Sequence, residues 1–189
     1  MDIKVPRWIF ITIGVAPVIA FFILLAWGMM RKDVNPGSLA VYDATGEAAI
    51  KMQVLPAFTL ETFDGGQFES SSLQGKVAMI DFWASWCPPC RVEAPGLDRV
   101  YRAYKAAGVE FVGVAIWDRD VDVQNFLATV GTSFVTGKDP RGELAVEFGL
   151  TGIPEKYFVD ARGNIVRKFV GPMDEVRLSR VLDEILAKG

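Results

Sequence analysis

The sequence predicts an α/β sandwich, a mixed central sheet with helices packed against it. Three observations predict this class. First, KVAMIDFWA (76–84) and VEFVGVAI (109–116) are nearly continuous apolar runs, as strands buried on both faces would be. Second, a helical pattern separates those runs and another follows them. Third, the chain closes with EKYFVD and NIVRKFVG around a turn, then an amphipathic tail. Alternating strands and helices followed by a hairpin and a last helix give a mixed sheet.

The elements follow in chain order. From Trp8 to Met30 there is no charged residue. As a helix this run would be about 34 Å long, enough to span a bilayer core with some tilt. Trp8 and Trp27 lie near its ends, where interfacial aromatics belong, and Pro17 is tolerable in a membrane helix. A cleaved signal peptide fits less well, because the run is long and no small-x-small cleavage site follows. A buried soluble helix fits less well still, because the run is apolar all round. Residues 1–7 form a short flank, 8–30 a transmembrane helix, and 31–54, with Asn35-Pro36-Gly37, a linker. A folded domain occupies 55–189.

Within that domain AFTLETFDGGQFESSSL reads as a hairpin around Asp64-Gly65-Gly66. KVAMIDFWA is the first core strand. A helix from Pro88 to Ala107 ends where Gly108 would cap it. VEFVGVAI is the second core strand. VDVQNFLATVG is a helix with Val123, Phe126, Leu127 and Val130 at core spacing. SFVT (133–136) is a short extended segment, and GELAVEFGL a short helix closed by Gly149. EKYFVD and NIVRKFVG pair around Ala161-Arg162-Gly163. In the last helix Val176, Leu178, Val181, Leu182, Ile185 and Leu186 point to the core.

The bulk numbers narrow the chemistry. The 189 residues are 51% apolar and 23% charged, a globular composition, with net charge −3. A pI near 5.1 gives no basic face for nucleic acid. There is no histidine. That excludes a Ser/His/Asp triad, a Cys–His nucleophile and any His-ligated metal.

The only two cysteines, Cys87 and Cys90, flank Pro88 and Pro89 where a buried strand gives way to a helix. A structural disulfide at this spacing would close a tiny loop and remove little chain entropy. A zinc site needs four ligands, and the chain offers two thiolates. An intermolecular metal or copper site and two unrelated thiols are further readings. A redox-active dithiol fits the position best. Thiolate is the nucleophile in disulfide exchange, and a helix N-terminus lowers a thiol's pKa. Cys87 would sit exposed before the first turn, with Cys90 one turn on and on the same side. The prolines have no N–H to aim at the Cys87 sulfur. That destabilises the reduced form and favours a reductant.

WCPPC after a strand ending DFWAS resembles the active site of thioredoxin-fold proteins. Arg91-Val92-Glu93-Ala94-Pro95 after the pair is similar to the Cys-x-x-Glu-x-Pro run of the TlpA/ResA/CcmG group, membrane-tethered thioredoxin-like proteins. TGIPEKYFVDARGNIVRKFVG resembles the group's cis-proline loop and closing hairpin, and its Gly-x-Pro-Glu form is closest to CcmG. The resemblance covers about 55–186 plus the single anchor. It implies a thioredoxin-like fold with an N-terminal β-hairpin extension, preceded by the transmembrane helix. Pro154 then matches the cis-proline beside the dithiol. Ile153 would offer its backbone to an incoming chain in a strand-like pairing. Trp86 and Pro88 would shape the client-facing rim. Glu93 would tune the thiols or relay a proton from Cys90. Asp81, an acid in an apolar strand, matches the buried acid of ordinary thioredoxins and departs from many tethered members. Arg91 and Lys156 would at most shift the local potential.

The resemblance also implies a partner set. The client class is the oxidised Cys-x-x-Cys-His motif of apocytochrome c. Electrons would come from a membrane donor of the CcdA or DsbD kind. No cofactor is expected, and nothing in the chain suggests haem binding. Flanking charges tie, Lys4 and Arg7 against Arg31 and Lys32, so orientation follows the resemblance. It places the N-terminus inside and the domain outside a bacterial cytoplasmic membrane. A broader reductase of exported proteins is the nearest alternative. Thioredoxin-fold peroxidases carry Thr three residues before the nucleophile, where this chain has Ala84, and a copper-delivery module would want His or Met beside the thiols.

Overall fold

The computed structural model describes residues 7–30, 40–42 and 45–188, with side chains in the first helix described for 16–27. The chain divides into two compact units, one holding that helix and one holding everything from the first strand onward. Helix α1 covers Arg7–Met30 and contains Pro17. Among the described residues, no helix is long and apolar enough to cross a membrane. Of the anchor expected over 8–30, the side chains at 8–15 and 28–30 lie outside the described residues.

The second unit begins with two very short strands, β1 (Ala40–Val41) and β2 (Gly46–Glu47), then a hairpin of β3 (Thr59–Thr62) and β4 (Gln67–Glu69). The core follows: β5 (Ala78–Trp83), α2 (Pro88–Tyr104), β6 (Glu110–Ile116), α3 (Asp120–Val130) and β7 (Val135–Asp139). The chain ends with α4 (Glu143–Glu147), β8 (Gly152–Ile153), β9 (Glu155–Val159), β10 (Ile165–Val170) and α5 (Glu175–Leu186). One sheet has the order β2-β10-β9-β5-β6-β7-β3-β4, and β1 with β8 forms a separate parallel pair. Strands β5, β6 and β7 run parallel, while β9, β10 and β3 join antiparallel. This is the mixed sheet that the sequence predicts.

Burial explains the middle of the sheet. Every residue of β5 is buried, which is why its run is apolar without alternation. Met79, Phe111, Phe158, Leu178 and Leu182 pack on the α2 and α5 side. Ile80, Phe82, Val112, Val114 and Phe148 pack on the other, with both cysteines. Gly108 (φ 81°) and Gly131 (φ 71°) end the helical stretches before β6 and after α3 in the left-handed conformation that glycine adopts freely.

Three expectations need correction. Part of the stretch read as linker is sheet: β1 pairs with β8, β2 pairs with β10, and Val54 bridges Asn164. Strands this short are set by the edges that accept them, and their own pattern carries no signal. The segment SFVT is displaced to β7, which continues through Lys138 and Asp139. Its polar end is accommodated because Lys138 meets Glu61 and Asp120, each at 2.8 Å, and Asp139 accepts from the Glu143 and Ala145 amides. Val176 is 70% exposed. It lies about 200° round the helix from Leu178, off the face shared by Leu178, Val181, Leu182 and Ile185.

Truncation on α5 should separate these positions in urea unfolding. Leu182→Ala is expected to destabilise by about 2–5 kcal/mol. Val176→Ala should change stability by no more than about 0.5 kcal/mol.

Candidate active site

The site is built where β5 hands over to α2. Cys87 is the N-cap of α2, in extended conformation, with Pro88 and Pro89 filling the first helical positions. Proline suits the first of these, where the amide would be unpaired anyway. At the second it removes a donor that an N-cap side chain normally receives. The Cys90 amide remains, and it donates to Cys87 Sγ at 3.3 Å. Cys87 and Cys90 are joined in a disulfide, with their Cα atoms 5.4 Å apart.

Cys87 was expected exposed at the helix mouth. It is 0% exposed and Cys90 2%. The physical reason is packing: both sulfurs sit in the cluster that contains Ala84, Phe126 and Ile153. Exposure is carried instead by the rim, Trp86 at 46% and the exposed Pro88. Trp86 is oriented by its indole N–H, which donates to the Trp117 carbonyl at 3.2 Å. Asp118 holds the turn before Cys87 by accepting from the Ser85 amide and hydroxyl. Arg91 donates to the Ser85 carbonyl and lies over the Phe126 ring.

The two carboxylates singled out by sequence are both in the interior, Asp81 3% and Glu93 6% exposed. Lys156, with no exposure at all, lies between them. Its Nζ is 2.6 Å from Glu93 Oε1 and 3.1 Å from Asp81 Oδ1. The second contact is an ion pair off the hydrogen-bond direction, which leaves Asp81 Oδ1 without a hydrogen-bond partner among the described residues. Glu93 Oε2 accepts from the Met173 amide at 2.7 Å. Register explains the meeting: Asp81 and Lys156 are directly paired across β5 and β9, and Glu93 lies one turn beyond Cys90 on α2. Burial raises the Asp81 carboxyl, against the pull of Lys156. Burial, opposed by Lys156 and helped by Asp81, raises Glu93 to about 7. Burial depresses Lys156, but the two carboxylates outweigh it and hold the ammonium above its ordinary range. Two acids and one base in a dry site favour a retained proton near neutrality.

The peptide bond from Ile153 to Pro154 is cis. Glu155, fully buried, holds the loop that carries it. Its Oε1 accepts from the Thr151 amide, the Thr151 hydroxyl and the Gly152 amide at 3.0, 2.8 and 3.2 Å. Its Oε2 faces Lys168 Nζ at 2.7 Å and the Tyr157 hydroxyl at 3.0 Å. Burial and Glu155 push the Tyr157 phenol upward, so it stays a donor. The Ile153 backbone, expected free for an incoming chain, is already engaged: its carbonyl accepts from the Tyr42 amide at 2.8 Å. Sequence reasoning gave no role to Glu155 and only a diffuse one to Lys156. A run of polar residues in a strand required to be buried, Glu155-Lys156-Tyr157, was the signal that could have found both.

The Redoxin family model matches residues 50–185. The thiol:disulfide interchange protein HelX of Rhodobacter capsulatus is 36% identical over 173 residues, 90% of this chain and 92% of that protein. The thiol-disulfide oxidoreductase ResA of Bacillus thuringiensis (strain Al Hakam) is 29% identical over 138 residues, 71% of this chain and 80% of that protein. A thioredoxin-family thiol:disulfide interchange protein from Chlorobium tepidum TLS superposes with a TM-score of 0.67 at 32% identity, covering 74% of this chain and 99% of that one.

The buried triad makes stability depend on pH. Glu93 rises from an ordinary 4.5 to about 7 on folding. The folded chain therefore binds a proton more tightly than the unfolded one. This contribution is complete below pH 4.5 and is lost as pH rises through 7. In the oxidised protein, Glu93→Gln should flatten the loss of stability between pH 5 and pH 8 by on the order of 1–3 kcal/mol. Lys156→Met should destabilise by about 3–5 kcal/mol at pH 8, and by less at pH 5, where the carboxylates can hold protons. Urea midpoints at the two pH values measure both.

Proposed function

The chain belongs to the redoxin family and is a thiol-disulfide oxidoreductase of the ResA/HelX type, and from that premise we propose that it is a membrane-tethered reductant of exported proteins, with apocytochrome c as its client. The observation that carries this reading is the Cys87–Cys90 bridge at the N-terminus of α2, sharing a buried cluster with Ile153 of the cis-proline loop. The uncharged run from Trp8 to Met30 supports the tether, as does the exposure of Val18, Phe21, Phe22 and Leu24 in α1. The domain then lies on the extracytoplasmic side of a bacterial cytoplasmic membrane, where disulfides persist and need reducing.

In the reduced protein the Cys87 thiolate attacks one sulfur of the client disulfide. The client S–S bond breaks, a Cys87–client mixed disulfide forms, and the first client sulfur leaves as a thiolate that takes up a proton. Cys90 then loses its proton, with the buried carboxylates Asp81 on β5 and Glu93 on α2 as its acceptors in this reading, and attacks Cys87 Sγ. The second client sulfur leaves and is protonated. Two electrons have moved to the client, its two thiols have taken up the proton released by Cys90 and one from solvent, and the protein is left as the disulfide described above. A membrane dithiol donor of the CcdA or DsbD kind restores it. Ile153 and cis-Pro154 position the client chain, and Trp86 and Pro88 form the rim it meets.

The direction of electron flow is read from the prolines. Cys87 Sγ receives the Cys90 amide and lacks a donor from Pro89. A thiolate with fewer donors is a stronger reductant.

Two experiments test the proposal. In the Cys90→Ser chain Cys87 should stall as a mixed disulfide, and the trapped protein should be apocytochrome c; only unrelated exported proteins would favour a broader reductase. Pro89→Thr, which restores an amide at the second helical position, should raise the reduction potential by about 30 mV, one charge-assisted hydrogen bond's worth. A wild-type potential near −120 mV, roughly that of a strong oxidant, would overturn the reductant reading.

A further inference from the structure

The backbone edge beside the cis-proline is occupied by the chain itself. Ala40 pairs with Gly152 and Val41 with Ile153, in parallel. The Ala40 amide donates to the Thr151 carbonyl at 3.3 Å, and the Tyr42 amide to the Ile153 carbonyl at 2.8 Å. The Tyr42 hydroxyl meets the Thr151 hydroxyl at 2.7 Å. The approach is close, because a Cβ on Gly152 would lie 2.4 Å from the Ala40 carbonyl oxygen and 2.5 Å from the Tyr42 ring. Only glycine lets a second backbone lie against this position.

The two sides of this pairing differ. Gly152, Ile153 and Pro154 are buried and braced by Glu155. Ala40 and Val41 are exposed, and among the described residues their strand pairs only with β8. An edge braced by Glu155 is therefore covered by a two-residue exposed strand, the arrangement of a displaceable occupant.

We propose that residues 40–42 are a built-in stand-in for the client: they fill the strand-pairing edge at Thr151–Ile153, and a client docks there by displacing them. This rests on the reading that Ile153 receives the client backbone. It adds the geometry of what binds: an extended disulfide-bearing segment, parallel to β8, with its backbone pressed against Gly152 and an amide aimed at each of the Thr151 and Ile153 carbonyls. It also adds a competition, since the free edge and the covered edge are alternative states of one protein. Clients must bind the first state, so the covered population lowers their apparent affinity.

The test uses the full-length Cys90→Ser chain and a synthetic peptide with an internal Cys-x-x-Cys disulfide. Hydrogen exchange is followed at the Ala40 and Tyr42 amides. Both should be slow in the free protein and should lose protection once the mixed disulfide with Cys87 forms. Protection that persists in the mixed disulfide overturns the stand-in and leaves the oxidoreductase reading intact. Failure to form any mixed disulfide overturns both. A second measurement avoids the trapping variant. Ala40→Pro combined with Tyr42→Pro removes both donated amides while the dithiol stays wild type. The rate of peptide-disulfide reduction should rise about tenfold, the scale of losing one or two net hydrogen bonds. An unchanged or slower rate overturns the proposal.

Discussion

The interior ammonium of Lys156 is the constraint on which the active site depends. It is wholly buried and pairs with a carboxylate on the neighbouring strand and another on the helix above. Unpaired charge in such a place is strongly destabilising, so all three groups must arrive together. Slipping β9 by one residue against β5 would turn Lys156 to the opposite face and leave Asp81 buried alone. The pair thus helps to specify the register of two central strands. Through Glu93 it also seats α2 on the sheet, and α2 carries the disulfide at its first turn. The elements that hold the structure and those that can handle protons are the same three side chains.

Glu155 plays the complementary part on the other face of β9. Successive strand residues point to opposite faces, so Glu155 and Lys156 serve two different layers from adjacent positions. Lys156 seats α2, the helix that carries the dithiol at its first turn. Glu155 organises the cis-proline loop through three donors from Thr151 and Gly152, and is itself held by Lys168 and Tyr157. Neither residue needs to touch a sulfur to set where the sulfurs and the loop lie.

What was legible in the sequence follows the range of the interactions involved. The core strands, α2 and α3, their glycine ends and the closing hairpin are encoded by local apolar period and turn chemistry, and all are present. Cys87 and Cys90 were visible because only two residues separate them in a chain with no other thiol. The burial of Cys87 was not visible, since it depends on Ile153 and Phe126 from distant segments. The convergence of Asp81, Glu93 and Lys156 depends on strand register, which no window of sequence contains. Strands β1 and β2 were missed for a related reason: two residues have no periodicity, and only the edge that receives them makes them strands. Val176 failed differently. It was assigned by its apolarity when its angle round α5 points outward.

The bracing of the cis-proline loop by Glu155 has a thermodynamic corollary. A recognition edge already fixed in its bound shape gives up little entropy when a partner arrives, so the ordering cost of association falls on the partner. A cystine in a flexible, unfolded segment can meet that demand by straightening. The same cystine inside a finished domain would have to break its own structure first. The proposed docking edge would therefore grade clients by how far they have folded, and the grading would come from the stiffness of a loop, with no side chain that reads the client's sequence.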